Sequence, residues 1–255
     1  MKLSGRGALI TGAGRGIGAE TALALARAGA RVGLAARNMD QVVETAARLR
    51  EIGLEAFAFR CDVTKVFDVK NLALSARDAL GQVDILVNAA RTATSNPLGR
   101  ITPEEWRHML EVNATGTFLC TQALVSWMVD RGWGRVVNVA SRAGLTGFAR
   151  LAAFSASEHA VVGFTRALAH ELDGSGVTVN AVCPGHVDTP LTDEAVAGIM
   201  REKRVGREVA LSLFLQAAGQ ARLLRAAEVA EHIVGYCLAQ HPAPHGEICE
   251  VNAEA

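Results

Sequence analysis

The chain has 255 residues, 26 Lys and Arg against 26 Asp and Glu, and 50% hydrophobic residues. The zero net charge excludes nucleic-acid binding through bulk basic charge, and no acidic tail is present. With 20% charged residues the composition is that of a core-forming chain, far from disorder, and the length suits one large α/β domain or two small ones.

The five cysteines, Cys61, Cys120, Cys183, Cys237 and Cys249, are scattered with no CxxC pair. That spacing fits reduced thiols better than a disulfide frame or a zinc site, so no metal site is expected. The opening MKLSGRGALITG lacks the apolar run of roughly 7–15 residues that a secretory signal needs. Nowhere do about 18 apolar residues stand together, so no membrane span is predicted and the chain reads as cytoplasmic.

In chain order, short apolar or β-branched runs at Gly7–Thr11, Ala30–Ala36, Ala56–Phe59, Ile85–Asn88, Arg135–Val139 and Val177–Val182 predict strands buried on both faces. Segments of helical spacing separate them: Ile17–Ala28, Gln41–Leu49, Val66–Leu80, Glu104–Val129 and Ala156–Leu172. Glycines such as Gly29, Gly53, Gly81, Gly132 and Gly174 punctuate the joins. After Pro184-Gly185 the rhythm breaks, and residues 188–222 form a helical excursion placed to cover a crevice at a strand's carboxyl end. Ala226–Gln240 predicts a last amphipathic helix and Gly246–Val251 a final strand. The alternation predicts one Rossmann-type, doubly wound parallel sheet of about seven strands over residues 1–255, in three α/β/α layers.

Thr11–Gly18 reads TGAGRGIG, directly after the first strand and opening the first helix. Gly12, Gly16 and Gly18 permit a tight turn, close backbone approach to a pyrophosphate and helix–strand packing, while the helix start at Ile17 offers free N–H groups. A ligand-free glycine turn is the alternative, against which the placement between a strand and a helix favours the phosphate cradle. The second strand ends Ala36-Arg37, where an acidic residue would bind the ribose 2′-hydroxyl of NAD(H). Arg37 and Arg15 suit a 2′-phosphate instead, favouring NADP(H), unless both are simply solvated.

With these residues in place the chain resembles the short-chain dehydrogenase/reductase family over nearly its whole length. The matching stretches are TGAGRGIG (Thr11–Gly18), CDVT (Cys61–Thr64), NAA (Asn88–Ala90), VNATGTF (Val112–Phe118), VNVAS (Val137–Ser141) and PGHVDTPL (Pro184–Leu191). The resemblance implies hydride transfer between NAD(P)(H) and an alcohol/ketone pair. It implies that Asp62 and Val63 contact the adenine, that Asn88, Pro184 and Gly185 border the cofactor, and that Thr189 lies near its pyrophosphate and carboxamide. Ala90 stands where the family has a glycine.

Of the family's Asn-Ser-Tyr-Lys set, Asn113 and Ser141 fall on the first two positions. The tyrosine and lysine positions hold Phe154 and Glu158, and the single tyrosine, Tyr236, lies in the last predicted helix. A phenol near pKa 10, lowered by a neighbouring ammonium, is the acid that protonates the alkoxide. Phe154 has no such proton, and removing a general acid costs a factor of about 10²–10⁴. Glu158, one helical turn on, puts a carboxylate where the cation belongs. His186, or Glu158 itself with a pKa raised by burial, is a candidate surrogate acid; His159 points about 100° away from Glu158.

The resemblance implies oligomers, a dimer or tetramer paired through Glu104–Val129 and Ala156–Leu172. A chain without the relay is then expected to join an active short-chain dehydrogenase subunit in a homo- or hetero-oligomer. The two-subunit hydroxyacyl-CoA dehydrogenases of anaerobic aromatic degradation are the precedent. Two alternatives stay open: an NADP(H)-dependent oxidoreductase of a carbonyl, alcohol or ketoacyl substrate with unusual proton supply, and a cofactor-loaded sensor. Arg201, Lys203, Arg204 and Arg207 suit the phosphates of an acyl-CoA ligand or form a solvated helix face.

Overall fold

The computed structural model describes residues 2–238 and 243–253. Seven parallel strands form one sheet in the order β3-β2-β1-β4-β5-β6-β7, comprising β1 (Gly7–Thr11), β2 (Arg31–Ala36), β3 (Ala56–Arg60), β4 (Ile85–Asn88), β5 (Gly134–Val139), β6 (Val177–Pro184) and β7 (Ile248–Val251). The central strands β1, β4, β5 and β6 are buried along their whole length, as parallel strands covered on both faces must be. Register runs from Thr11↔Asn88 at the β1–β4 join to Asn138↔Ala181 between β5 and β6.

Helices α1 (Gly16–Arg27), α2 (Met39–Glu51) and α9 (Ala226–Leu238) bury their apolar stripes on one face, with Leu25, Val42 and Ile233 against Val32, Val87 and Val137. Helices α3 (Val66–Leu80), α5 (Gly116–Asp130) and α6 (Ala152–Glu171) cover the other, with Leu72, Leu124 and Leu168 against Leu9, Leu86 and Val179. The predicted three-layer α/β/α architecture is therefore present. Local chemistry sets several boundaries. The Asn38 side chain accepts from the Asp40 and Gln41 amides to start α2, and Thr102 accepts from the Glu105 amide to start α4 (Pro103–Leu110).

Three predicted elements differ. The continuous helix expected over Glu104–Val129 is α4, one wide π turn (Glu111–Thr115) and α5. Tertiary hydrogen bonds hold that turn: the Asn113 side chain accepts from the Thr92 amide at 2.9 Å and donates to the Thr92 carbonyl at 2.9 Å. The helix expected from Ala156 begins four residues earlier, at Ala152. The 188–222 excursion is two helices, α7 (Pro190–Lys203) and α8 (Arg207–Ala217), with Arg204 between them in left-handed conformation (φ 53°). Residues 239–240 of the last predicted helix lie outside the described residues. Among those described, no helix is long and apolar enough to cross a membrane, and no group of three or more His, Cys, Asp or Glu is placed to hold a metal.

Candidate active site

A cavity of about 1450 Å³ opens at the carboxyl ends of the strands, beside the β1–β4 join where strand order reverses. It exceeds the roughly 300–1,000 Å³ of an ordinary small-ligand site, which leaves room for a dinucleotide and a second ligand. The glycine loop forms one wall. Gly12 holds φ +67°, and a Cβ there would lie 2.6 Å from the Ala89 carbonyl oxygen. A Cβ on Gly18 would lie 2.4 Å from the Gly12 oxygen, so only glycine lets α1 start this close to β1. Gly16, at φ +58°, sits against Thr189, the N-cap residue of α7.

Arg15 and Arg37 line the cavity with Ile17, Asp62 and Val63. The Arg15 guanidinium is 3.4 Å from Glu194 on α7 and remains half exposed. Burial works to raise the Asp62 carboxyl. Hydrogen bonds from the Thr64 amide (3.0 Å) and hydroxyl (2.8 Å), with the nearby charges of Arg37 and Lys65, outweigh it and hold Asp62 below the usual carboxylate range. Pro184 and Gly185 at the end of β6 form another wall. A Cβ on Gly185 would strike Gln220 Oε1 at 2.5 Å. The residues present fit a bound dinucleotide: a glycine cradle, a helix N-terminus and two cations where an acidic residue would favour an unphosphorylated ribose.

At the other end Ser141 follows β5 and borders the cavity, its Oγ accepting from the Ala143 amide at 3.1 Å. Phe154 on α6 borders it too, one helical turn before Glu158. Asn113 is fully buried behind this wall, its Nδ2 donating to Ser157 Oγ at 2.9 Å. Its carbonyl oxygen accepts from the Thr117 hydroxyl at 2.7 Å and from Arg91 Nη1 at 3.4 Å.

Glu158 does not present a carboxylate to the site, as its position in the sequence suggests. Its side chain is fully buried and absent from the cavity wall, and Arg91 Nε lies 3.3 Å from its Oε1. Arg91, with 10% of its side chain exposed, borders the cavity instead. Burial pushes the Glu158 carboxyl up and the Arg91 charge opposes that shift. Gly144 lets this part of α6 approach, since a Cβ there would meet the Glu158 backbone oxygen at 2.8 Å.

The short chain dehydrogenase family pattern matches residues 6–199. The chain is a member of the short-chain dehydrogenase family. It is similar to a 3-oxoacyl-(acyl-carrier-protein) reductase of Synechocystis sp., 38% identical over 192 residues and 75% and 78% of the two chains. It is equally similar to the BbsD subunit of a hydroxy(phenyl)methylsuccinyl-CoA dehydrogenase of Thauera aromatica, 40% identical over 194 residues and 76% and 78% of the two chains. Among solved structures it matches actinorhodin polyketide ketoreductase with NADPH at a TM-score of 0.92 and 36% identity, covering 99% and 97% of the chains.

Within this short-chain dehydrogenase the remaining predicted residues divide. Asn88 is buried beneath the cavity rather than in its wall; its Nδ2 donates to Thr121 Oγ1 (3.0 Å) and Asn138 Oδ1 (2.9 Å), tying β4 to α5 and β5. His186 does border the cavity, but its ring stacks on Phe214 at 3.7 Å. Burial, helped by the Arg142 charge, brings its pKa down to about 4. A neutral imidazole at pH 7 has no proton to donate readily, so the structure does not favour His186 as the surrogate acid. His159 is exposed outside the wall. Tyr236 is buried on α9, in the helix layer opposite α6. Sequence reading missed Arg91, whose only signal was an arginine just beyond a strand end.

Proposed function

We propose that this chain is a non-catalytic short-chain dehydrogenase subunit that holds NADP(H) and assembles with an active subunit of its own family. The observation that carries this reading is Phe154 in the cavity wall where the family's phenol would stand, with no tyrosine lining that wall among the described residues and Glu158, not a lysine, one helical turn on. Glu158 is sealed behind Arg91, His186 is held neutral, and Tyr236 is on the wrong face. The glycine cradle with Arg15 and Arg37 supports retained binding of NADP(H) over NAD(H), and actinorhodin ketoreductase, a similar structure, carries NADPH. Two similar proteins act on acyl-carrier-protein and CoA thioesters by name, one as a named subunit, which supports an acyl thioester pathway and a partnered assembly.

The test has two parts. Fluorescence titration with NADPH and NADH is expected to show saturable binding that favours NADPH. Arg37→Ala with Arg15→Ala is expected to weaken NADPH by about 10–100-fold, the worth of charge-assisted hydrogen bonds, and to abolish the preference. With acetoacetyl-CoA and NADPH the chain alone should show no turnover; turnover by the purified wild type overturns the non-catalytic reading.

A further inference from the structure

We propose that Arg91 is an oxyanion-binding residue of the cavity, positioned by Glu158, so that the site takes a ligand carrying a carboxylate or another negatively charged acyl oxygen. The proposal goes beyond the proposed subunit role, because it concerns what the cavity binds and holds with or without turnover.

The guanidinium is fixed from several sides. Its Nη1 donates to the Ala90 carbonyl at 2.8 Å and meets the Asn113 carbonyl and the Thr117 hydroxyl at 3.4 and 3.3 Å. Its Nη2 donates to the Val139 carbonyl, and its Nε faces Glu158. The carbonyls at the ends of β4 and β5, with one buried carboxyl, thus hold a cation that sheet packing alone would exclude. A guanidinium has five N–H groups. The second N–H on Nη2 has no acceptor among the described residues, and the Nε–H pairs with Glu158 by charge at 3.3 Å without hydrogen-bond alignment, although nine-tenths of the side chain is buried.

A second donor lies close by in the chain. Ser141 borders the same cavity two residues beyond Val139, and its Oγ accepts from the Ala143 amide while its own O–H meets no acceptor among the described residues. A fixed cation and a free hydroxyl therefore line one water-accessible cavity, whose wall also includes the Phe154 ring. Preorganised donors of this kind favour charge on a ligand oxygen over a neutral amide or ester of the same shape. Glu158 touches no ligand; it anchors the guanidinium from behind.

The probes are butyrate and its neutral isostere butyramide, compared by the rise each produces in the wild-type melting temperature at matched ionic strength. The expected result is a larger rise with butyrate. That excess should vanish in R91L/E158L, which removes both charges together, and in R91Q/E158Q if the first variant does not fold. It should persist in E104L/R107L, a charge-balanced change at an exposed ion pair on α4. No preference for butyrate in the wild type overturns the proposal. An undiminished preference in the 91/158 variants also overturns it, because the anion then sits elsewhere, such as the start of α1. Turnover does not enter these readouts, so failure of the subunit reading is scored separately.

Discussion

Replacing Glu158 with lysine, which restores the family's residue at that position, is expected to destabilise this chain. In the structure Arg91 Nε is 3.3 Å from the Glu158 carboxylate, and Glu158 is fully buried. Two unit charges about 4 Å apart interact by about 4 kcal/mol at an effective dielectric near 20. Glu158→Lys turns that attraction into a repulsion of similar size, a swing of roughly 8 kcal/mol on the same constant. Loss of the lysine's proton relieves part of it, and the wild-type attraction is already offset by the desolvation that raises the Glu158 carboxyl. A net loss of about 4 kcal/mol corresponds to a fall in melting temperature of roughly 8–16 °C for a chain of this size. Thermal unfolding followed by circular dichroism measures it, on Glu158→Lys and on Glu158→Lys with Arg91→Met. The second change removes the opposing cation and should recover at least half of the loss. An E158K variant that melts within about 2 °C of wild type, or no recovery with Arg91→Met, refutes the pairing. It follows that Phe154→Tyr with Glu158→Lys alone should not restore ketone reduction, whereas adding Arg91→Met gives the restored relay a tolerable site.

Two further outcomes follow from the site. His186 is held at a pKa of about 4 in the folded chain against an ordinary 6.5. Between those values the unfolded chain binds the proton and the folded chain does not. Stability is therefore full above about pH 6.5 and falls by about 3 kcal/mol as pH drops to 4. His186→Phe, which keeps a ring against Phe214, should lose that share of the acid sensitivity in urea titrations at pH 4.5 and 7; an unchanged pH slope contradicts the burial argument. Gly18→Ala places a methyl group 2.4 Å from the Gly12 oxygen, a distance no relaxed contact allows. It should abolish NADPH binding and lower the melting temperature, and a variant that binds as tightly as wild type shows that the loop does not hold the pyrophosphate.

Much of the fold was legible because its signals are local. A continuous Ile-Leu-Val run at Ile85–Asn88 and the β-branched run Val177–Val182 mark strands covered on both faces, and helical spacing at Val66–Leu80 gives α3 to the residue. The glycine loop was equally plain, since its conformations leave no other residue a choice. The wide turn at Glu111–Thr115 was not legible, because what stabilises it is the bonding of Asn113 to Thr92, 21 residues away, and to Ser157, 44 residues away. The early start of α6 at Ala152 left no periodic trace, because Ala152–Ser155 is too short to show a helical period.

The active-site end shows the same division most clearly. The sequence alone determined that position 154 lacks a phenol and position 158 lacks an ammonium, because identity at a motif position is a one-dimensional fact. It also implied that the site had gained a negative charge. Only the tertiary structure decided the sign that a ligand meets. Folding brings Arg91, 67 residues earlier and just beyond β4, between Glu158 and the cavity, so the carboxylate is buried and the cation lines the cavity. Charge at a site is a sum over neighbours in space, and burial decides which of them a ligand reaches.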